Sequence, residues 1–182
     1  MEDYAFILDY LPHGRGDKRG FHREPIAYAV GDTEFKLFEL TPKDNLPLTI
    51  GDRVYVGKNA EQRHEILHVK RRVRYDDLTN ASHSELPFVI HQIVMDNEDI
   101  YVKFYNDARA ITTRFHMLEL LPGLGKKSMW AIIDERKKSE FKSFEDLGER
   151  VSSVHHPDKL VAKRIEQELS EAEQKYHIFV AK

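Results

Sequence analysis

The spacing of the apolar residues changes near residue 78, and that change most constrains what the chain can fold into. Before it, "YAFILDYL" (4–11), "PIAYAVGDTEFKLFEL" (25–40), "DRVYVG" (52–57) and "HEILHVKRRVRY" (64–75) are rich in β-branched and aromatic residues. Several of these runs alternate apolar with polar, as half-buried strands do. Val30-Gly31-Asp32-Thr33 reads as a hairpin turn between two of them. Four to five short strands with glycine turns predict a small β-barrel over 1–80. After it the apolar residues recur at helical spacing. The predicted class is therefore α+β: a barrel, a helical linker over 81–110, and an all-helical domain over 111–182.

The linker reads as two helices, about 82–95 and 97–107, although "IYVKFY" also alternates like a strand. Thr112 or Thr113 is positioned to cap a helix running to Leu121, with Phe115, Leu118 and Leu121 on one stripe. A second helix, marked by Met129, Ile132 and Ile133, runs to about Lys138. "SFED" (143–146) is a capping box that opens a third helix, burying Phe144, Leu147 and Val151. Pro157 suits the first position of a fourth, with Val161, Ile165 and Leu169 on its inner side. The tail "KYHIFVAK" reads as extended.

Charge separates the two parts. The 182 residues carry a formal charge of −3, so any affinity for nucleic acid has to come from a local patch. Residues 1–107 hold 14 Lys+Arg against 19 Asp+Glu, and the remainder holds 14 against 12, so the positive balance lies in the second part. There is no cysteine, which excludes disulfides, thiolate nucleophiles and cysteine-ligated metals and fits a reducing compartment. The acidic start "MEDYAFILDYLPHG" has too short an apolar run for a signal peptide, and no stretch approaches a membrane span. A soluble cytoplasmic protein is expected, without a membrane partner.

Between two apolar helical patterns stands "LLPGLGKKS" (120–128). Pro122 stops the preceding helix, while Gly123 and Gly125 can take φ > 0 and leave bare backbone. The N–H groups of 123–127 can then point outward at a helix N-terminus, an anion site made of backbone dipoles. The bland alternative is a tight corner between two packed helices. The full pattern resembles the helix-hairpin-helix motif of DNA-repair, recombination and RNA-processing proteins. That resemblance implies a sequence-independent grip on backbone phosphate, in some members with a monovalent cation alongside. On this chain Gly123, Leu124 and Gly125 would form the hairpin, Leu124 being its buried plug, and Lys126 and Lys127 would flank the phosphate. Met129 departs from the small residue common at its position. "VSSVHHPDK" (151–159) stands where a second hairpin would fall, but it has no glycine and reads as a support.

Two further segments are basic. "HGRGDKRGFHR" (13–23) offers Arg15, Lys18, Arg19 and Arg23 to phosphates and Phe21 to a base; the alternative is a solvated loop. In "KRRVR" (70–74), read as strand, Lys70, Arg72 and Arg74 share one face and Arg71 takes the other. Such a face suits an oligonucleotide-binding (OB-like) barrel. The whole chain also resembles a family of uncharacterised archaeal proteins, through "FYNDARAITTRFHMLELLPGLGKKSMW", "SFEDLGERV" and "KYHIFVAK". That resemblance implies an OB-like barrel followed by a helix-hairpin-helix region, and no activity.

Catalysis finds little support in the sequence. Glu34-Phe35-Lys36 and Glu140-Phe141-Lys142 match half of a metal-dependent nuclease signature, with no upstream Asp strand to complete it. The histidines are scattered, and no phosphate-binding loop or nucleophile elbow is present. The expectation is a non-catalytic nucleic-acid-binding protein, RNA and DNA both open, without a cofactor beyond the cation mentioned above. Protein partners in nucleic-acid metabolism remain open. The alternative is a protein-interaction scaffold with a purely structural hairpin, and a metal-dependent nuclease is the minor one.

Overall fold

A computed structural model describes residues 1–16, 24–171 and 173–182. The chain forms two compact units, Met1–Val89 with Glu168–Lys182, and Ile90–Gln167.

The first unit is built on five strands: β1 (Tyr4–Leu11), β2 (Ile26–Gly31), β3 (Leu37–Pro42), β4 (Arg53–Tyr55) and β5 (Ile66–Arg72). They pair antiparallel in the order β4-β1-β2-β3-β5, in a sheet that curls into a half-barrel. Side-chain size and strand irregularity account for the curl. Ala5, Ala27 and Ala29 lie in the cluster with Ile7, Leu40 and Ile66, and their small side chains suit the tight inside of the curve. β5 carries two extra residues against β3, with register shifts at Glu39/Leu40 and Thr41/Pro42. Such bulges bend a strand and increase its twist. β2 is buried at all six residues, since Tyr28 and Val30 on its other side are covered as well as Ala27 and Ala29. The sheet is therefore not solvated on one face, as simple alternation predicts. Each large aliphatic buried here contributes roughly 1.5–3 kcal/mol.

The hairpin between β2 and β3 turns later than Val30–Thr33. β2 continues through Gly31, and Gly31 N–H donates to Lys36 O at 2.8 Å. A carboxylate from far away sets this. Buried Glu2 accepts from the backbone N–H groups of Thr33 (3.0 Å), Glu34 (2.7 Å) and Lys36 (3.3 Å). Gly31 makes room for it, because a Cβ there would fall 2.1 Å from the Glu2 carboxyl carbon. Burial pushes the Glu2 carboxyl up from its ordinary range, against the pull of those three N–H groups.

The tail forms no strand among its described residues. Glu168 gathers it, accepting from Ile178 N (2.9 Å), Phe179 N (3.1 Å) and Val180 N (2.9 Å). Ala181 N then donates to Glu34 O.

Helix α1 (Asn80–Asp96) begins in the first unit and ends in the second. Thr79 opens it, its hydroxyl accepting from Ser82 N (3.1 Å) and donating to Asp9 Oδ2 (2.6 Å). The second unit continues with α2 (Glu98–Asp107), β6 (Ala110–Thr112), β7 (Phe115–His116), a 3₁₀ turn (Met117–Leu120), α3 (Lys126–Lys138), α4 (Phe144–Arg150) and α5 (Pro157–Ser170). "IYVKFY" is thus helical. Its aromatic Tyr105 is fully buried and donates its hydroxyl to Pro157 O at 2.6 Å. Burial drives that phenol well above its ordinary range. The α2 C-terminus is closed by Arg136, whose guanidinium donates to Tyr105 O (2.9 Å) and Ala108 O (2.8 Å).

The helix expected from Thr112 or Thr113 to Leu121 does not form. The threonines lie in and beside the short β6–β7 hairpin, which suits their β-branched side chains. The turn restarts at His116, whose Nδ1 accepts from Leu118 N (3.1 Å) while Glu119 accepts from His116 N (2.7 Å). Phe115, Leu118 and Leu121 are spaced by three, which is the 3₁₀ period rather than the α-helical one. The remaining helices follow the sequence. Ser143 accepts from Asp146 N (2.9 Å), while Asp146 reaches back to Lys142 N (3.0 Å). Pro157 opens α5, on which Val161 and Ile165 are fully buried.

Candidate nucleic-acid interface

Leu121 to Leu124 is a β-turn closed by Leu124 N donating to Leu121 O at 3.2 Å. Pro122 and Gly123 hold its central positions, with Gly123 at φ 86°, as a type II turn demands. Gly125 behaves differently from expectation. It is extended, at φ −77° and ψ 167°, and is the N-cap of α3. Its value is therefore space rather than a left-handed backbone: a Cβ there would meet nothing within 4 Å. A glycine cap has no side chain to take the first N–H groups of a helix. The first intrahelical bond runs from Met129 N to Gly125 O at 3.0 Å. Among the described residues, no protein acceptor takes the N–H of Gly125, Lys126 or Lys127.

The sides of this turn are as unequal as its ends. Leu121 and Leu124 are buried, as is Met129, so the apolar side is anchored. Lys126 and Lys127 are exposed and have no acidic partner among the described residues. Behind the turn stands α5, with Leu160 Cδ2 3.8 Å from where a Gly123 Cβ would lie. Ser128 donates to Ser153 Oγ at 2.9 Å, which ties the start of α3 to the second turn, 151–156. The sequence singled out neither serine. A long-range pair of hydroxyls leaves no local signal.

The other candidate cations have protein partners or different surroundings. Arg15 Nη2 donates to Asp77 O at 2.6 Å, and its guanidinium lies 5.2 Å from the Tyr28 ring centroid. Lys18, Arg19, Phe21 and Arg23 lie outside the described residues. Lys70 and Arg71 do not take opposite faces. The bulge makes Lys70 the extra residue, and both reach buried Glu39, at 3.4 Å and 2.8 Å. Arg72 Nη2 donates to Ala181 O at 3.0 Å. Arg74 falls beyond the end of β5, so it does not continue the face of Lys70 and Arg72.

Residues weighed for other chemistry have structural ties. Glu34 pairs with Lys36 and with the amino group of Met1. His68 shares a hydrogen bond with Thr41 Oγ1 at 3.2 Å. No group of three or more metal-ligating side chains occurs among the described residues. A pair absent from the sequence reading joins His91 Nε2 to Asp158 Oδ2 at 2.6 Å. No described helix is long and apolar enough to cross a membrane.

Similar proteins match over nearly the whole of this chain. A family model described as "Protein of unknown function (DUF655)" matches residues 1–181. The uncharacterised protein MJ0038 of Methanocaldococcus jannaschii is 46% identical over 181 residues, covering 99% of this chain and 80% of its own. The crystal structure of Af1531 from Archaeoglobus fulgidus superposes with a TM-score of 0.92 at 48% identity, covering 99% of this chain and 100% of the other. The resemblance to an uncharacterised archaeal family is borne out, and the chain belongs to the DUF655 family.

Proposed function

We propose that the protein is a non-catalytic, cytoplasmic nucleic-acid-binding protein that grips backbone phosphate through Gly123–Lys127, without reading sequence. One observation carries this reading. Among the described residues, the chain sets three N–H groups without protein acceptors, one glycine open to solvent and two lysines without acidic partners at one corner. Helix N-termini of this kind attract anions, and nothing on this one repels them. The motif resembles a helix-hairpin-helix whose first helix is shortened to a 3₁₀ turn, and a monovalent cation would sit beside the same backbone. The half-barrel is OB-like in this reading. Its Arg15, Lys18, Arg19, Phe21, Lys70, Arg72 and Arg74 would form a second contact, to RNA or DNA.

The decisive measurement is affinity against salt. Log affinity should fall linearly with log salt, by about 0.9 per phosphate on duplex and about 0.7 on single strands. Gly125→Val places two methyl groups where a phosphate would approach and does not need a left-handed backbone. It should fold normally and bind about tenfold more weakly. The scaffold reading, with a structural corner, forecasts a salt-independent partner and a Gly125→Val variant indistinguishable from the parent.

A further inference from the structure

Helix α3 buries Met129, Ile132 and Ile133 and turns its other side to solvent. Lys126, Trp130, Asp134 and Lys137 follow one another along that outer side at intervals of three and four residues. Trp130 is the only tryptophan in the chain and is 57% exposed. Its indole N–H has no protein acceptor and its ring meets no other ring or cation among the described residues. A scattered exposed leucine needs no explanation. A tryptophan more than half exposed on a lysine-bearing stripe is different, since the side chain offers a broad flat π-face to solvent.

Charge identifies the occupant. Asp134 is the only acid on this stripe and lies 3.9 Å from Lys137, while Lys126 and Lys127 have no acidic partner among the described residues. An apolar protein surface laid on Trp130 would have to strip water from those two ammonium groups at a cost. A nucleotide satisfies both, with phosphate for the lysines and a base for the indole. Trp130 lies about 6 Å along the axis from Lys126, four residues at 1.5 Å each. Bases inside a duplex expose only their edges, so their faces are closed to an indole.

We propose that Trp130 is a stacking platform for an unpaired base adjoining the phosphate held at Gly123–Lys127, so that the preferred ligand is single-stranded nucleic acid. This rests on the phosphate-gripping reading of the hairpin. The lone tryptophan makes the test direct. The intact protein is titrated with oligouridylate and oligothymidylate of about 16 nucleotides, the upper end of usual site sizes, and with a dumbbell duplex closed at both ends by non-nucleotide linkers, which leave it no unpaired base. Intrinsic fluorescence and affinity are both followed. Single strands should quench Trp130 and the dumbbell should not. Trp130→Ala should lose about 5- to 150-fold of single-strand affinity while keeping the dumbbell affinity, and Trp130→Phe should recover most of that loss. Salt-dependent binding with unchanged fluorescence and a Trp130→Ala variant at parental affinity would overturn the platform and leave the phosphate grip standing. Equal quenching by the dumbbell would overturn the preference for single strands. Absence of binding to every probe would remove both readings.

Discussion

Two turns in the second unit lead into long helices, and they treat the helix N-terminus in opposite ways. Gly125 leads into α3 with no side chain, no acidic residue in the first turn and two lysines. The 151–156 turn leads into α5 with Pro157, which has no N–H, followed by Asp158, whose carboxylate sits in the first turn and pairs with His91. Proline removes a donor and aspartate supplies the anion that a helix start favours. Among the described residues the N–H groups of Asp158 and Lys159 also lack a protein acceptor, so the two starts differ in the proline and carboxylate of the second against the bare glycine and paired lysines of the first. Similar local topology therefore gives helix starts of opposite charge, which the proposed function reads as a phosphate grip and its support, and the second turn region meets the first through Ser153 and Leu160.

The largest test of this contrast gives the first turn the character of the second. Lys126→Glu with Lys127→Glu should leave thermal unfolding within a few degrees of the parent, since both side chains are exposed. Nucleic-acid affinity at low salt should fall by about a hundredfold, and the salt slope should drop by about one to two. An unchanged slope would place the phosphate contacts elsewhere. The converse change, Asp158→Ala, should cost about 1 kcal/mol of stability by removing a favourable first-turn charge and its partner His91. Its effect on nucleic-acid affinity should stay within about threefold. A loss as large as that of the lysine pair would make the second turn a ligand site rather than a support.

The smallest effect is one of pH. Burial, and then the nearby charge of Arg136, hold the His116 imidazole below its ordinary range. The folded protein therefore binds this proton less readily than the unfolded chain. Stability is highest above the ordinary histidine range and declines as pH falls through about 6.5. Protonation also removes the Nδ1 acceptor used by Leu118 N, on the approach to the first turn. Hydrogen exchange at Leu118 should speed up between about pH 7 and pH 5 relative to Val154 in the second turn, after correction for intrinsic rates. A parallel response of both amides would separate His116 from the first turn.

Much of this was legible locally. The runs 4–11, 52–57 and 64–75 contain β1, β4 and β5, and the Ser143 cap and Pro157 mark the starts of α4 and α5. What escaped depends on distance along the chain or on one residue of register. Glu2 relocates a turn more than thirty positions away, and nothing near residue 33 announces it. A single bulge brings Lys70 to the carboxylate used by Arg71, which alternation forbids. The stripe Phe115–Leu121 looks helical until its spacing of three is taken literally. Trp130 was not singled out in the sequence, although its offset from Met129, Ile132 and Ile133, all buried, already sets it on the outer side of α3.

The clasp formed by Glu168 around residues 178–180 has a consequence for where the protein can accept an anion. Three successive N–H groups converging on one carboxylate make the kind of concavity that also binds phosphate. A tethered carboxylate is present at a concentration fixed by the chain, not by the surroundings, so a free ion competes poorly for that place. Glu2 does the same at the β2–β3 turn. The chain thus occupies two of its own backbone cradles with internal rivals to any ligand, and at Gly125–Lys127 the described residues supply none.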